Sequence, residues 1–537
     1  MQTERGESRF VPNTVALVFQ TVAATLLTLL QVKLLANYLT QETFGLFASL
    51  RGLSLLLATL AAHGLPQLLV RFIPVHETKR ERIAALRLVA GCTLLSLAGL
   101  AAAVAVTQAL ERPVFRFVPA GTVTPGLLLW FYVTTLGVML KLVLYGGLNG
   151  LRRLASQVML ETLSLLAVLA WLFAERGALD LASLFRILGV VNLATVAAGY
   201  AILFAGLGAK VGSAAPTGWE GRESAGETRS NVSSYRPGYR SYLGWAAGLS
   251  LVAIAFSDAD RYLLAQVLSL SLLAAFHVGA RVGRLANRLL GVANLAFQPE
   301  VTRLDAEGRR ARVAESTRIF LKFNTMISVW MAAGLIIFAR EVIVVVASSA
   351  YATAVPLLVL FALSLPLSTM TAPLTSVMKA VDQVRGALWC DLGWALCYVA
   401  LIFALAPGLG VYGVGLAQLL ACAVQLVLAI ALSKLPGAPG DVARLGWKLL
   451  LSGAAAFLPV WVVGAVLSGS PAAVVVAAKV AAFAAGSAVF RLMVRFLRVL
   501  GDDERGVVFS MLESRRLGFV GALVGVGGSA GARGRAK

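Results

Sequence analysis

Acidic side chains are scarce in this chain: 26 Asp and Glu among 537 residues, against 47 Lys and Arg. Charge of either sign makes up 14 % of the residues, where a soluble protein carries about a quarter. Cysteine is rarer still. Cys92, Cys390, Cys397 and Cys422 all fall in apolar runs, and no spacing among them suggests a metal site or an external disulfide. They read as small buried hydrophobes. No nucleophile, metal cluster or nucleotide-binding glycine loop stands out. These shortages argue against a soluble globular enzyme.

What the chain has instead is apolar length. Hydrophobic residues make up 59 % of it and the mean hydropathy is +0.82. Runs of about 20 apolar residues recur from end to end, each long enough to cross the hydrocarbon of a bilayer as a helix. They are too long and too little alternating for an outer-membrane barrel. The fold class expected is an all-α polytopic membrane protein. Fourteen spans are predicted, at about 12–36, 44–70, 84–108, 124–147, 155–174, 182–207, 241–265, 269–297, 319–338, 354–378, 386–405, 411–433, 444–467 and 472–497. The first run follows a polar start and has no small-residue cleavage site, so it is read as a span and not a cleaved signal peptide.

The net charge of +21 is explained by its distribution. With the N-terminus inside, 34 Lys and Arg fall on the termini, the inner connectors and the span ends beside them. Four, Arg112, Arg116, Arg176 and Arg340, fall on outer connectors. That alternation is the positive-inside pattern, and one miscounted span would break it. Both termini are therefore expected in the cytoplasm. Outer connectors are short, which leaves no extracytoplasmic domain.

The division expected is an N-terminal lobe at 1–207 (six spans), a cytoplasmic linker rich in Gly, Ser, Glu and Arg at 208–239, a C-terminal lobe at 240–435 (six spans), two further spans at 436–498, and a cytoplasmic tail at 499–537. Six is even, so the two lobes would enter the membrane the same way, as two six-helix lobes in parallel pseudo-twofold repeat. LLANYLTQETFGLFASLRG (34–52) lies against LLAQVLSLSLLAAFHVGARVG (263–283), and a short insertion would bring Arg51 opposite Arg281.

Charge inside the spans carries the functional signal. In span 8, His277, Arg281, Arg284 and Arg288 fall on one helical face, a stripe about 16 Å long. An Arg at the bilayer centre costs about 2.5–3.5 kcal/mol, so such a stripe should face a wet cavity or other charge. Acids to meet it are few: Glu161, Asp258, Asp260 and Asp391. Against them stand Lys33, Arg51, Lys141, Arg186, Arg261, Lys479 and the stripe itself. The excess is cationic and points to an anion-binding cavity. In FSDADRYLLAQ (256–266), Asp258 and Arg261 are spaced to pair within one helix, while Asp260 points elsewhere. This segment reads as a structural pair or an outer gate, and Glu161, Asp258, Asp260 and Arg261 are gate or coupling candidates.

These residues resemble the polysaccharide and O-antigen (Wzx-type) flippases of the multidrug/oligosaccharidyl-lipid/polysaccharide (MOP) exporter superfamily, which includes the lipid II flippases. The resemblance covers about residues 10–435. NYLTQETFGLFA (37–48) is similar to the family's element joining spans 1 and 2, with Thr40 where glycine is usual. FSDADRYLLAQ, FHVGARVGRL…FQPEVTRL and ASSAYATAVPLL (347–358) are similar to the family's span 7, span 8 and the element before span 10.

The resemblance implies a V-shaped, two-lobed transporter. It would carry a polyprenyl-pyrophosphate-linked oligosaccharide, an O-antigen or exopolysaccharide unit, from the inner to the outer leaflet by alternating access. In the lipid II branch basic residues of spans 1, 2 and 8 line the cavity. The positions that match here are Lys33, Arg51, Arg281 and Arg284, with His277 on the same stripe. No cofactor is expected, only coupling to an H+ or Na+ gradient or the membrane potential. Expected partners are the lipid-linked substrate, membrane lipids, a polysaccharide polymerase and glycosyltransferases, with no nucleic acid. The location implied is a bacterial cytoplasmic (inner) membrane. Two other readings are a lipid II flippase proper and a cation-coupled multidrug antiporter. The antiporter fits less well, because span 1 has no acid.

The orientation is directly testable. Alkaline phosphatase fused after Arg116 is expected to be active, and fused after Arg222 inactive. Activity after Arg222 would contradict the inside placement of the linker.

Overall fold

The structure is a computed structural model that describes residues 22–78, 82–119, 121–151, 153–175, 179–209, 248, 252, 260–306, 308–381, 383–433, 438–466, 471–501 and 504. Every regular element among them is a helix. In chain order these are α1 (Val22–Tyr38), α2 (Gln41–Ala62), α3 (Leu65–Thr78), α4 (Arg82–Ala109), the short α5 (Glu111–Val114), α6 (Pro125–Gly150), α7 (Leu154–Ala174) and α8 (Leu181–Ala209). Then come the short α9 (Asp260–Leu264), α10 (Leu270–Ala306), α11 (Arg310–Ile337), α12 (Ala339–Val346), a 3-10 turn at Ser349–Ala354, α13 (Val355–Ala380), α14 (Val384–Leu409) and α15 (Val411–Leu432). Two helices close the chain, α16 (Ala438–Val466) and α17 (Ala472–Phe496).

Eleven helices among the described residues are long and apolar enough to cross a membrane. They correspond to expected spans 2–6 and 9–14. Span 8 is present as α10, 37 residues long, and its arginines set it apart from the apolar helices. Span 1 is described only from Val22. Span 7 lies almost wholly outside the described residues, as does the linker expected at 208–239 apart from its first two positions.

Span 2 needs a correction. It was expected as one helix over 44–70, and the chain instead turns at His63 and Gly64, with φ of 20° and 84°. Gly64 adopts a left-handed backbone that glycine takes without penalty, and Pro66 then sits at the start of α3, where its missing N–H costs nothing.

The repeat appears as a constant spacing of helix starts. α2 begins at 41 and α10 at 270, 229 apart; α4 at 82 and α11 at 310, 228 apart; α6, α7 and α8 at 125, 154 and 181, and α13, α14 and α15 at 355, 384 and 411, each 230 apart. α4 and α11 are both 28 residues long, and α6 and α13 both 26. Small details repeat too. Thr40 Oγ1 accepts from Thr43 N at 3.2 Å and Ser269 Oγ from Leu272 N at 3.4 Å, so the same cap opens α2 and α10. Arg153 N donates to Leu148 O at 2.9 Å, and Gln383 N to Met378 O at 2.7 Å. Counted from those caps without insertion, Arg51 matches Ala280. Arg281 lies one residue on, about 100° round the helix. At the 230 spacing of the later helices, Arg51 falls opposite Arg281.

The described residues pack as two compact units, 1–274 and 275–537, with the division inside α10. In the first unit α6 is central, packed on α2, α3, α4 and α8. Glycine sets the spacing. An added Cβ at Gly146 would stand 2.6 Å from Pro66 O, and one at Gly150 2.8 Å from Leu69 O. Hydroxyls tie the helices: Thr135 Oγ1 donates to Ser54 Oγ at 2.9 Å and Thr134 Oγ1 to Phe185 O at 2.8 Å. Outside the spans, Asp180 caps α8. Hydrogen bonds from Ser183 hold its carboxyl below the usual carboxylate range.

In the second unit α13 packs on α11 and α15, and α14 on α15. α16 and α17 pack on each other and on α11. Phe457, Phe483 and Phe490 form the contact with Trp330 and Phe338, and Trp330 Nε1 donates to Ser487 Oγ at 3.0 Å. The last two spans are thus bound into the second unit.

Gly146→Ala is expected to destabilise the protein by about 1–3 kcal/mol through overpacking. Gly126→Ala, with open space around that Cβ, serves as the control. Equal melting temperatures for the two variants in detergent would contradict the close α3–α6 approach.

Candidate anion-binding site within the spans

Each unit carries its own set of intramembrane cations. In the first, Arg51 lies on the partly exposed face of α2, with Leu55 and Thr59 one and two turns on. The opposite face of α2 is buried. On α6, Val138, Lys141 and Tyr145 share one partly exposed stripe. Lys141 Nζ stands 3.7 Å from Glu161 Oε2 of α7 and 5.6 Å from the Tyr145 ring centroid. Arg51 is the other charge Lys141 feels. Two cations and one carboxylate from three helices therefore leave this cluster net positive. Lys33 is not part of it: it lies on the exposed face of α1, its carbonyl accepting from Asn37 Nδ2 at 2.7 Å.

Asp260 and Arg261 of α9 are 1 % and 0 % exposed, and α9 packs against α2. Arg261 is the largest fully buried side chain among the described residues. A guanidinium held this deep belongs to a closed, packed contact, not to a wet surface. Asp258 lies outside the described residues.

In the second unit the α10 stripe grades in exposure along the helix. His277 is buried, Arg281 and Arg284 are half-buried, and Arg288 is exposed. The Arg284 guanidinium lies 5.9 Å from the Phe276 ring centroid, and Phe276 packs edge-on against Phe361 of α13. Asn287 Oδ1 accepts from Ser368 Oγ at 3.2 Å. Gly279 and Gly283 let α10 approach Ala354, Leu357 and Phe361 closely, which fixes the rotation of the stripe.

Sequence reasoning missed the ion pairs. Lys479 of α17 meets Glu341 Oε1 at 2.6 Å and Ile337 O at 3.1 Å. Lys379 meets Asp391 Oδ2 at 3.6 Å, and Asp391 Oδ1 accepts from Gln425 Nε2 at 3.0 Å. One signal was available. Glu161 and Asp391 lie 230 apart, the spacing of α7 and α14. Among the described residues no three His, Cys, Asp or Glu come together as a metal ion would need.

Several known proteins share this architecture. The lipid II flippase MurJ in an inward closed conformation superposes with a TM-score of 0.62 at 13 % identity, over 90 % of this chain and 99 % of that one. An inward-facing multidrug resistance MATE family transporter of the MOP superfamily gives 0.55 at 14 % identity, over 80 % and 98 %. A mutant of the Vibrio cholerae MATE transporter VcmN gives 0.50 at 15 %, over 78 % and 97 %. At such identities the likeness is one of fold. No curated protein sequence matches the chain. A family model described as "Polysaccharide biosynthesis protein" matches residues 10–299, more than half of the 537. The chain belongs to the polysaccharide biosynthesis protein family.

Proposed function

We propose that this protein is a flippase, not an enzyme, which carries a polyprenyl-pyrophosphate-linked oligosaccharide from the inner to the outer leaflet by alternating access. The observation that supports it most is the placement of Arg51 and Lys141 in helices long and apolar enough to cross a membrane and of Arg281 and Arg284 on α10, all partly exposed, with Glu161 the carboxylate 3.7 Å from Lys141. Such cations are stable in a membrane only beside water or anions. A pyrophosphate with sugars attached is a large anionic head that cannot cross hydrocarbon unaided, and guanidinium groups match phosphate oxygens in geometry and charge. A cavity built for a cationic drug would carry the opposite charge.

The membrane is the bacterial cytoplasmic membrane, with both termini inside. Glu161, Asp258 and Asp260 are the carboxylates available for coupling to an ion gradient. A polymerase and glycosyltransferases would act on the same lipid-linked unit after and before it.

The test uses purified protein in liposomes loaded with a lipid-pyrophosphate-linked oligosaccharide, following the sugar that becomes accessible outside. Wild type is expected to flip it, and Arg281→Ala to do so at least about tenfold more slowly while folding normally. Unchanged transport in the variant would make Arg281 structural. No transport by wild type, with efflux of a cationic dye, would replace the proposal with a drug antiporter.

A further inference from the structure

Among the described residues, the Lys479–Glu341, Lys379–Asp391 and Lys141–Glu161 pairs each join two helices, and they are not alike. Lys479 and Glu341 are locked: 2.6 Å apart, with a backbone carbonyl as the lysine's second acceptor and side chains 14 % and 23 % exposed. Lys379 and Asp391 are 3.6 Å apart, and Gln425 holds the free oxygen of Asp391. Lys141 and Glu161 are 3.7 Å apart, longer than the roughly 2.7–3.2 Å of a hydrogen bond. Tyr145 is a further polar neighbour of Glu161. Glu161 is also the open partner, 45 % exposed against 16 % for Lys141.

A carboxylate this exposed, within a membrane-spanning helix, is tolerable only against a water-filled cavity. Lys141 lies behind it, flanked by the Tyr145 ring, with Arg51 as the next charge. One carboxylate cannot neutralise two cations. A phosphate group with two or more negative charges and several acceptor oxygens can. It would compete for Lys141 on favourable terms, because the resident pair is long and its carboxylate is exposed.

We infer that Lys141 is a phosphate-contacting residue of the transport site, and that Glu161 is its place-holder, pairing with it in the empty protein and displaced as the anionic head enters. The inference rests on the flippase reading above. The ligand chemistry is a lipid-borne phosphate, with two charges in a pyrophosphate diester and one in a phospholipid diester. Its source is the head of the carried lipid, or the phosphate of a bilayer phospholipid.

The experiment is equilibrium binding to the full-length protein in phosphatidylcholine nanodiscs, titrated with a polyprenyl pyrophosphate and separately with phosphatidylglycerol. A place-holder and its lysine must respond with opposite sign. Glu161→Gln is expected to tighten pyrophosphate binding by about threefold or more, and Lys141→Gln to weaken it about tenfold. Lys141→Arg, which keeps the charge if Lys141→Gln fails to fold, should stay within about threefold of wild type. Asp391→Asn, the repeat equivalent with a second partner, should leave binding unchanged. If wild type binds the pyrophosphate but Glu161→Gln weakens binding or leaves it alone, the place-holder is overturned and the flippase reading stands. If wild type shows no preference for the pyrophosphate over phosphatidylglycerol, the reading falls with it. Tightening by Glu161→Gln for phosphatidylglycerol alone supports the exchange, assigns it to bilayer phosphate and overturns the pyrophosphate source.

Discussion

A charged side chain inside hydrocarbon must find a partner or water, and this chain has too few acids to supply partners for all of its cations. That constraint orders much of the structure. Where a close carboxylate is supplied, the charge becomes a staple. Lys479 fastens α17 to α12 through Glu341 and to the end of α11 through the Ile337 carbonyl, Lys322 with Glu504 and Arg318 with Asp441 tie α11 to other parts of the second unit, and Phe483 packs on Trp330 and Phe457. At Arg51 and Lys141, and along the Arg281 stripe, the cations instead lie on partly exposed faces. The staples account for stability; cations that water can reach are what a transporter of anions needs.

The two halves share a frame and differ in charge. Helix starts and the caps of α2 and α10 repeat at spacings of 228 to 230, yet most charged side chains on that frame do not. At a spacing of 230, Lys141 falls opposite Thr371 and Lys379 opposite Asn149, so of these two ion pairs the carboxylates Glu161 and Asp391 repeat and the lysines do not. Duplicated backbone with divergent charge lets each unit contribute something different: a net-positive three-helix cluster in the first, and a graded arginine stripe on one long helix in the second. The break at His63–Gly64 belongs to the same divergence, since the first unit splits into α2 and α3 what the second keeps whole as α10.

Much of this was legible in the sequence, for physical reasons that also mark where reading fails. Apolar runs have ends because polar and basic residues lie beyond them, so α4, α6, α7, α8 and α17 begin and end within a few residues of the expected spans. The turn at His63–Gly64 was invisible because it sits inside an apolar run, and hydropathy carries no information about φ. The charged segment 298–306 extends α10 past its expected end, because a helix does not stop where hydrocarbon does. The Arg281 stripe could be read from helical period alone. The Lys141–Glu161 pair could not, since its members are 20 residues apart on different helices and only packing brings them together. Lys33 was placed with the cavity by resemblance, and its exposed position on α1 gives that assignment no support from geometry.

The central claim is that the partly exposed cationic faces contact an anionic lipid-linked sugar during transport. Site-specific photo-crosslinking in living cells tests it most directly. A photoreactive residue would replace Leu55, one turn from Arg51 on the same face of α2, or Leu129, an exposed apolar position of α6. The account predicts a glycan-bearing polyprenyl pyrophosphate adduct at Leu55 and ordinary phospholipid at Leu129. Phospholipid adducts alone at both positions would contradict it.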